Sequence, residues 1–170
     1  MPTLKASAER FLNQQRIAVI GMRTANPTDI ATLIYSRLRA AGYTVFGVNP
    51  TTATIADDPC YDALCMIPGG VDAAVIVVPP DQTAHVVHEC ARLGIQHVWM
   101  HKSLSSSVSR EAVDIAEERG LDFIPGGCPL MFIEPVSRSH KALYSLLSAV
   151  GRIPRVVHTV PLTEPAAKPF

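Results

Sequence analysis

Aromatic side chains are scarce in this sequence, at 6% of residues, and the scarcity narrows what the chain is built for. Single-stranded nucleic acid asks for exposed stacking platforms, and any nucleic-acid backbone asks for a basic face. Here Lys and Arg number 15 and Asp and Glu number 15, so nucleic acid is not an expected partner. No apolar run approaches the roughly 20 residues a membrane helix needs. The longest uncharged one is Ala73 to Pro80, and no membrane association is expected. The opening MPTLKASAERFLNQQ lacks the apolar stretch of a signal peptide, which makes a cytoplasmic location the expectation. The four cysteines, Cys60, Cys65, Cys90 and Cys128, include no CxxC pair. They read as buried free thiols in a reducing compartment rather than a disulfide framework. A formal net charge of zero leaves little to hold copies apart, so a homodimer is expected.

What the sequence does have is aliphatic bulk. Hydrophobic residues make up 48% of the 170, mostly Ala, Val, Ile and Leu, which suits a parallel sheet covered by helices. The chain is organised around Arg16 to Asp29. The run Ile17-Ala18-Val19-Ile20 suits a strand buried on both faces. Gly21 permits a sharp exit. Asn26 or Asp29 is placed to cap the next helix, with Pro27 in its first turn. Strand, glycine turn and helix N-terminus together favour an anion, because unpaired N–H groups and the helix dipole converge there.

The same alternation repeats along the chain. A short amphipathic helix over Thr3 to Asn13 comes first, packing across the sheet edge, and the first strand is Arg16 to Ile20. A helix follows over Thr28 to Ala41, closed by Gly42, then a strand over Tyr43 to Val48. A polar connection runs from Thr51 to Pro59, and Tyr61 to Ile67 reads as a short helix or turn. Val71 to Val78 is a strand, and a helix starting at Asp81 ends at Gly94. A strand over Ile95 to Met100 leads to a helix capped within Ser103 to Ser107 and stopped at Gly120. The last strand is Leu121 to Ile124. This predicts a single doubly wound α/β domain, Rossmann-like, with a parallel sheet of about five strands and helices on both faces. Residues 1–134 form that domain, and residues 135–170 add a helix over Arg138 to Val150 and a proline-rich tail.

In such sheets a ligand lies beyond the C-terminal strand ends. The first loop has one glycine, so neither the dinucleotide fingerprint GxGxxG nor a P-loop is present. The second strand ends on Asn49, where an NAD site would carry a carboxylate for the ribose. An amide there suits a ribose that is itself phosphorylated, as in coenzyme A or NADP. Arg23 and Lys102 stand in neighbouring loops as phosphate partners.

The segments VIGMRTANPTD, GYTVFGVNPTT, CYDALCMIPGGVDAAVIVVPP, CARLGIQHVWM and IPGGCPLMF occur in that order. In combination they resemble the CoA-binding domain family. These are small Rossmann-like proteins related to the nucleotide-binding domain of the succinyl-CoA synthetase α subunit and of ADP-forming acyl-CoA synthetases. The resemblance covers Phe11 to Phe132. It implies coenzyme A or acyl-CoA as a small nucleotide-type ligand, with Gly21, Met22, Arg23 and Thr24 at the phosphates and Asn49 and Pro50 on the adenosine side. Val78, Pro79 and Pro80 would line the adenine or pantetheine path, and Cys128 and Pro129 match the motif after the last strand. Family members often carry Gln and a nearby Gly after the Trp of the fourth strand; here Trp99 leads to Met100-His101-Lys102-Ser103. The synthetases also use a phosphorylated histidine in a second domain and an ATP-grasp partner. None of the six histidines here sits in such a motif, so the resemblance implies binding without catalysis by this chain alone.

Other constellations carry less. His85 and His88 share a helix face beside Glu89 and Cys90, but zinc needs further ligands. Cys128 near the ligand invites thiol chemistry, yet a small residue fitting a tight loop explains it. Ser103 to Ser107 lacks a nucleophile elbow, and helix capping accounts for the serines. The sequence thus points to a non-catalytic CoA or acyl-CoA binding module. The alternatives are an NADP-dependent oxidoreductase, with His101 and Lys102 as its acid–base candidates, and a subunit of a larger acyl-CoA ligase.

Overall fold

The computed structural model describes residues 3–23, 28–55, 58–133 and 146. Helix α1 (Leu4–Leu12) precedes β1 (Arg16–Ile20), and α2 (Ile30–Ala40) precedes β2 (Thr44–Val48). Two short strands follow, β3 (Thr54–Ile55) and β4 (Asp58–Tyr61), then a 3₁₀ turn at Leu64–Met66. The second half alternates β5 (Ala73–Ile76), α3 (Pro80–Arg92), β6 (His97–Met100), α4 (Arg110–Glu118) and β7 (Asp122–Pro125), with a 3₁₀ turn at Pro129–Met131. The sheet has seven strands in the order β3-β4-β2-β1-β5-β6-β7. All pairs are parallel except β3 with β4. The fold is the expected doubly wound, Rossmann-like α/β sheet flanked by helices.

Burial on both faces follows from the period of the strand. In β1, Ile17 and Val19 join Leu4, Phe11, Ile34, Leu38 and Trp99 on the α1–α2 face. Ala18 and Ile20 join Ala74, Ile76, Val87, Val98 and Phe123 on the α3–α4 face. Phe11 meets Trp99 edge-on at 5.3 Å between ring centroids, which seats α1 over β6. Arg10 completes the seating by a two-pronged ion pair, donating from Nε and Nη2 to the Asp122 carboxylate at 3.0 Å each.

Four local expectations are corrected. The Thr51–Pro59 connection contains β3 and the start of β4, so the sheet gains two edge strands. The helix expected to start at Asp81 begins at Pro80, with Pro79 at the cap. Helix α4 is capped by Ser109, whose Oγ accepts from the Ala112 N–H at 3.1 Å, and not by the serines from 103 to 107. Of the four thiols, Cys65 is exposed and the other three are buried. The helix over Arg138 to Val150, apart from Leu146, and the proline-rich tail lie outside the described residues, as do Asn26 and Pro27.

Candidate functional site

Three adjacent strands end at one place. In the order β2-β1-β5 the chain leaves β1 toward β2 on one side and reaches β5 on the other, so the crevice beyond β1 and β5 is the point where strand order reverses. A groove of about 630 Å³ opens there, within the range of small-molecule sites. Its floor is Ile20, Gly21, Val48, Asn49, Pro50, Val78 and Pro79, and its walls are the Thr51 and Asp62–Leu64 segments and the first turns of α3. A second hollow of about 230 Å³ shares Gly21, Arg23, Val78 and Pro79 and continues toward Asp29 and Ser105–Ser107.

Gly21 is required by a close approach. Its φ is +100°, and a Cβ there would stand 2.4 Å from the Val77 carbonyl oxygen. Its own N–H donates to the Val48 carbonyl at 3.1 Å, so this amide stitches β1 to β2. Met22 turns inward and is fully buried on the α1–α2 face. Arg23 is exposed and lines both hollows.

Asn49 lines the groove, but its amide is already engaged. Nδ2 donates to the Met22 carbonyl. Oδ1 accepts from the Thr51 N–H at 2.7 Å and from the Thr51 hydroxyl at 2.8 Å. The side chain ties the β1 exit to the β2 exit and fixes the turn through Pro50.

Other expected residues divide. Pro50, Val78 and Pro79 line the groove. Pro80 is exposed and opens α3. Lys102 lines neither hollow; its N–H donates to the Gly127 carbonyl at 2.9 Å. Cys128 and Pro129 are buried below the rim, away from both hollows. Burial pushes the Cys128 thiol up to about 12, so it stays protonated near neutrality and is a poor nucleophile. Thr24 lies outside the described residues.

His101 is fully buried behind the end of β6, and Ser103 Oγ stands 3.2 Å from its Nε2. Burial pulls the ring down to about 4, which keeps it neutral near pH 7. Neither His101 nor Lys102 reaches the groove, so the acid–base pair imagined for a nicotinamide reaction is not assembled there. On α3, His85 and Glu89 sit one helical turn apart on the groove wall, with Asp81 and Gln82 before them. The sequence reading missed Asp62, Asp81 and Glu89 as lining residues. The only signal was the i, i+4 spacing of Asp81, His85 and Glu89 on one face of α3. Among the described residues no three His, Cys, Asp or Glu side chains converge as a metal site, and no helix is long and apolar enough to cross a membrane.

Comparison with known proteins gives the groove a context. The CoA binding domain family matches residues 15–134. The chain is 31% identical over 129 residues to the ADP-forming acetate–CoA ligase I of Archaeoglobus fulgidus, covering 71% of this chain and 18% of that protein. It is 28% identical over 126 residues to the α subunit of the ADP-forming acetate–CoA ligase II of Pyrococcus furiosus, covering 69% of this chain and 27% of that subunit. The alignments thus span about a fifth to a quarter of these relatives' length. Among solved structures, a conserved hypothetical protein from Pyrococcus furiosus superposes with a TM-score of 0.57 at 28% identity, covering 64% of this chain and 90% of that one.

Proposed function

Because this chain belongs to the CoA-binding domain family, we propose that it is the nucleotide-holding part of a larger acyl-CoA ligase assembly and is not catalytic by itself. The family match and the ligase relatives support CoA or an acyl-CoA-type nucleotide as the ligand. The observation that carries the proposal is the groove at the ends of β1, β2 and β5, which lies within the matched residues. Its floor is apolar and its rim carries Arg23, an arrangement that holds a nucleotide in place. The His101 and Lys102 side chains expected of an acid–base pair do not line it, and in this reading the acyl-transfer step falls to other domains.

Two measurements test this. Calorimetric titration with CoA should show saturable binding that Arg23→Ala weakens; absence of heat at millimolar CoA overturns the ligand. Incubation of the purified chain with ATP, acetate and CoA should form no acetyl-CoA; turnover overturns the non-catalytic part. A second reading, a stand-alone CoA-binding protein, is favoured by the Pyrococcus structure, 90% of which the match covers. Co-purification with a chain carrying the ATP-binding half of such a ligase supports the assembly, and recovery of the chain alone supports the stand-alone reading.

A further inference from the structure

Two hollows meet at Arg23, and their linings differ in chemistry. The larger has an apolar floor that includes Ile20, Val48, Val78 and Pro79. The smaller, of about 230 Å³, shares Arg23 with it and adds Asp29 and the hydroxyl-bearing run Ser105–Ser107. Coenzyme A divides in the same way. A flat adenine lies at one end, an arm carrying amides and a hydroxyl at the other, and the diphosphate between them. With the diphosphate at Arg23, the base suits the larger hollow and the donor-rich arm suits the smaller.

The wall of the smaller hollow is held in place by its own hydrogen bonds. The Ser107 N–H donates to the His101 carbonyl at 2.7 Å, and the Ser103 N–H to the Ser105 carbonyl at 2.8 Å. Ser106 Oγ accepts from the Val108 N–H at 3.2 Å. Asp29 enters the hollow from the start of α2. Its carbonyl accepts from the Leu33 N–H at 2.9 Å, whereas its side chain makes no capping hydrogen bond. Oδ2 is buried and has no hydrogen-bond partner among the described residues. The α2 dipole favours a negative charge at this end but donates nothing to Oδ2. A buried acceptor without a donor costs free energy that a donor on a ligand recovers.

Resting on the reading of the groove as a CoA site, we propose that the smaller hollow takes the pantetheine arm and that Asp29 reads it, Oδ2 accepting a hydrogen bond from the hydroxyl of the pantoyl unit. That hydroxyl is the donor nearest the diphosphate along the arm, in keeping with Arg23 and Asp29 lining one hollow. A carboxylate beside a diphosphate also repels it, and the two effects are separable. Repulsion acts on every ligand with the diphosphate. The hydrogen bond acts only on a ligand with the arm.

The test is calorimetric titration of the full chain and of Asp29→Ala with CoA and with adenosine 3′-phosphate 5′-diphosphate, which is CoA without its arm. Repulsion affects both ligands, so the ratio of their affinities isolates the arm. The substitution should lower the preference for CoA on the order of tenfold, as expected for one hydrogen bond to a charged group. An unchanged or raised preference overturns the inference and leaves CoA binding standing. Failure of the unmodified chain to bind CoA removes that reading and the inference with it. A second measurement needs no variant. CoA whose pantoyl hydroxyl is replaced by hydrogen should bind the unmodified chain on the order of tenfold more weakly than CoA. Equal binding of the two overturns the role given to Oδ2, even if Asp29→Ala folds poorly.

Discussion

Two residues at the mouth of β1 show how much of this site is scaffold. Gly21 combines a φ of +100° with no room for a Cβ beside the Val77 carbonyl. Gly42 has a similar φ of +94° but nothing within 4 Å of the Cβ position. The pair separates backbone strain from collision. Gly42→Ala should cost about 1 kcal/mol, the strain alone. Gly21→Ala should cost about 2–4 kcal/mol, because strands β1 and β5 must also move apart. Urea unfolding of both variants checks this, and equal losses would refute the role given to the Val77 contact. Asn49 makes the complementary case. Its position at the end of β2 was legible in the sequence, since the apolar run stops at Asn49-Pro50 and ligands of such sheets lie beyond the C-terminal strand ends. That its amide would be spent on Met22 and Thr51 was not legible, because those partners meet it only after β1 and β2 pair in register. Asn49→Asp removes the donor to the Met22 carbonyl and should cost about 1–3 kcal/mol by the same unfolding measurement.

At the scale of the element, the Arg10–Asp122 ion pair ties α1 to β7 beside the packing of Phe11 on Trp99. Burial raises the tendency of the Asp122 carboxyl to hold its proton, but the adjacent His97 ring and Arg10 guanidinium outweigh that and hold it below its usual value. A depressed carboxylate contributes stability that is fully present above its unfolded pKa of about 3.9 and is lost as pH falls through the lower folded value. Asp122→Asn should therefore flatten the loss of stability below about pH 4 and lower stability at pH 7. Melting curves from pH 2 to 7 on both chains check this; parallel curves would mean that the pair contributes nothing. The elements themselves were legible to unequal degrees. Helices and the central strands β1, β2, β5 and β6 announce themselves through apolar runs and terminal glycines. Strands β3 and β4 do not, because a two-residue strand and one containing Pro59 have no period to read and exist only through pairing, β4 with β2 and β3 with β4. Proline is tolerated there because only Cys60 and Tyr61 of β4 pair with β2, so the missing Pro59 N–H costs that ladder no bond. The α4 cap was misplaced for a related reason. Several serines precede the helix, and only the one followed by an aligned Ala112 N–H captures it.

At the scale of the molecule, the groove and the fold are coupled through mass action. A ligand that binds the native chain alone, present at a hundred times its Kd, adds about 2.7 kcal/mol. For a domain of this size that is roughly 5–10 °C in Tm. Arg23 and Lys102 look equivalent in the sequence, each a cation in a loop after a strand, and the fold separates them. Arg23 stands on the rim shared by both hollows, whereas Lys102 is held in the β6 loop by its backbone bond to Gly127 and touches neither. A cation beside a phosphate contributes a charge-assisted contact, so Arg23→Ala should weaken CoA about tenfold and remove about 1.4 kcal/mol of the ligand-induced stabilisation. Lys102→Ala should leave that stabilisation unchanged. Thermal melts of the three chains with and without CoA decide between them. Equal losses in both variants would mean that the ligand reaches across to the β6 loop, beyond the hollows that Arg23 lines.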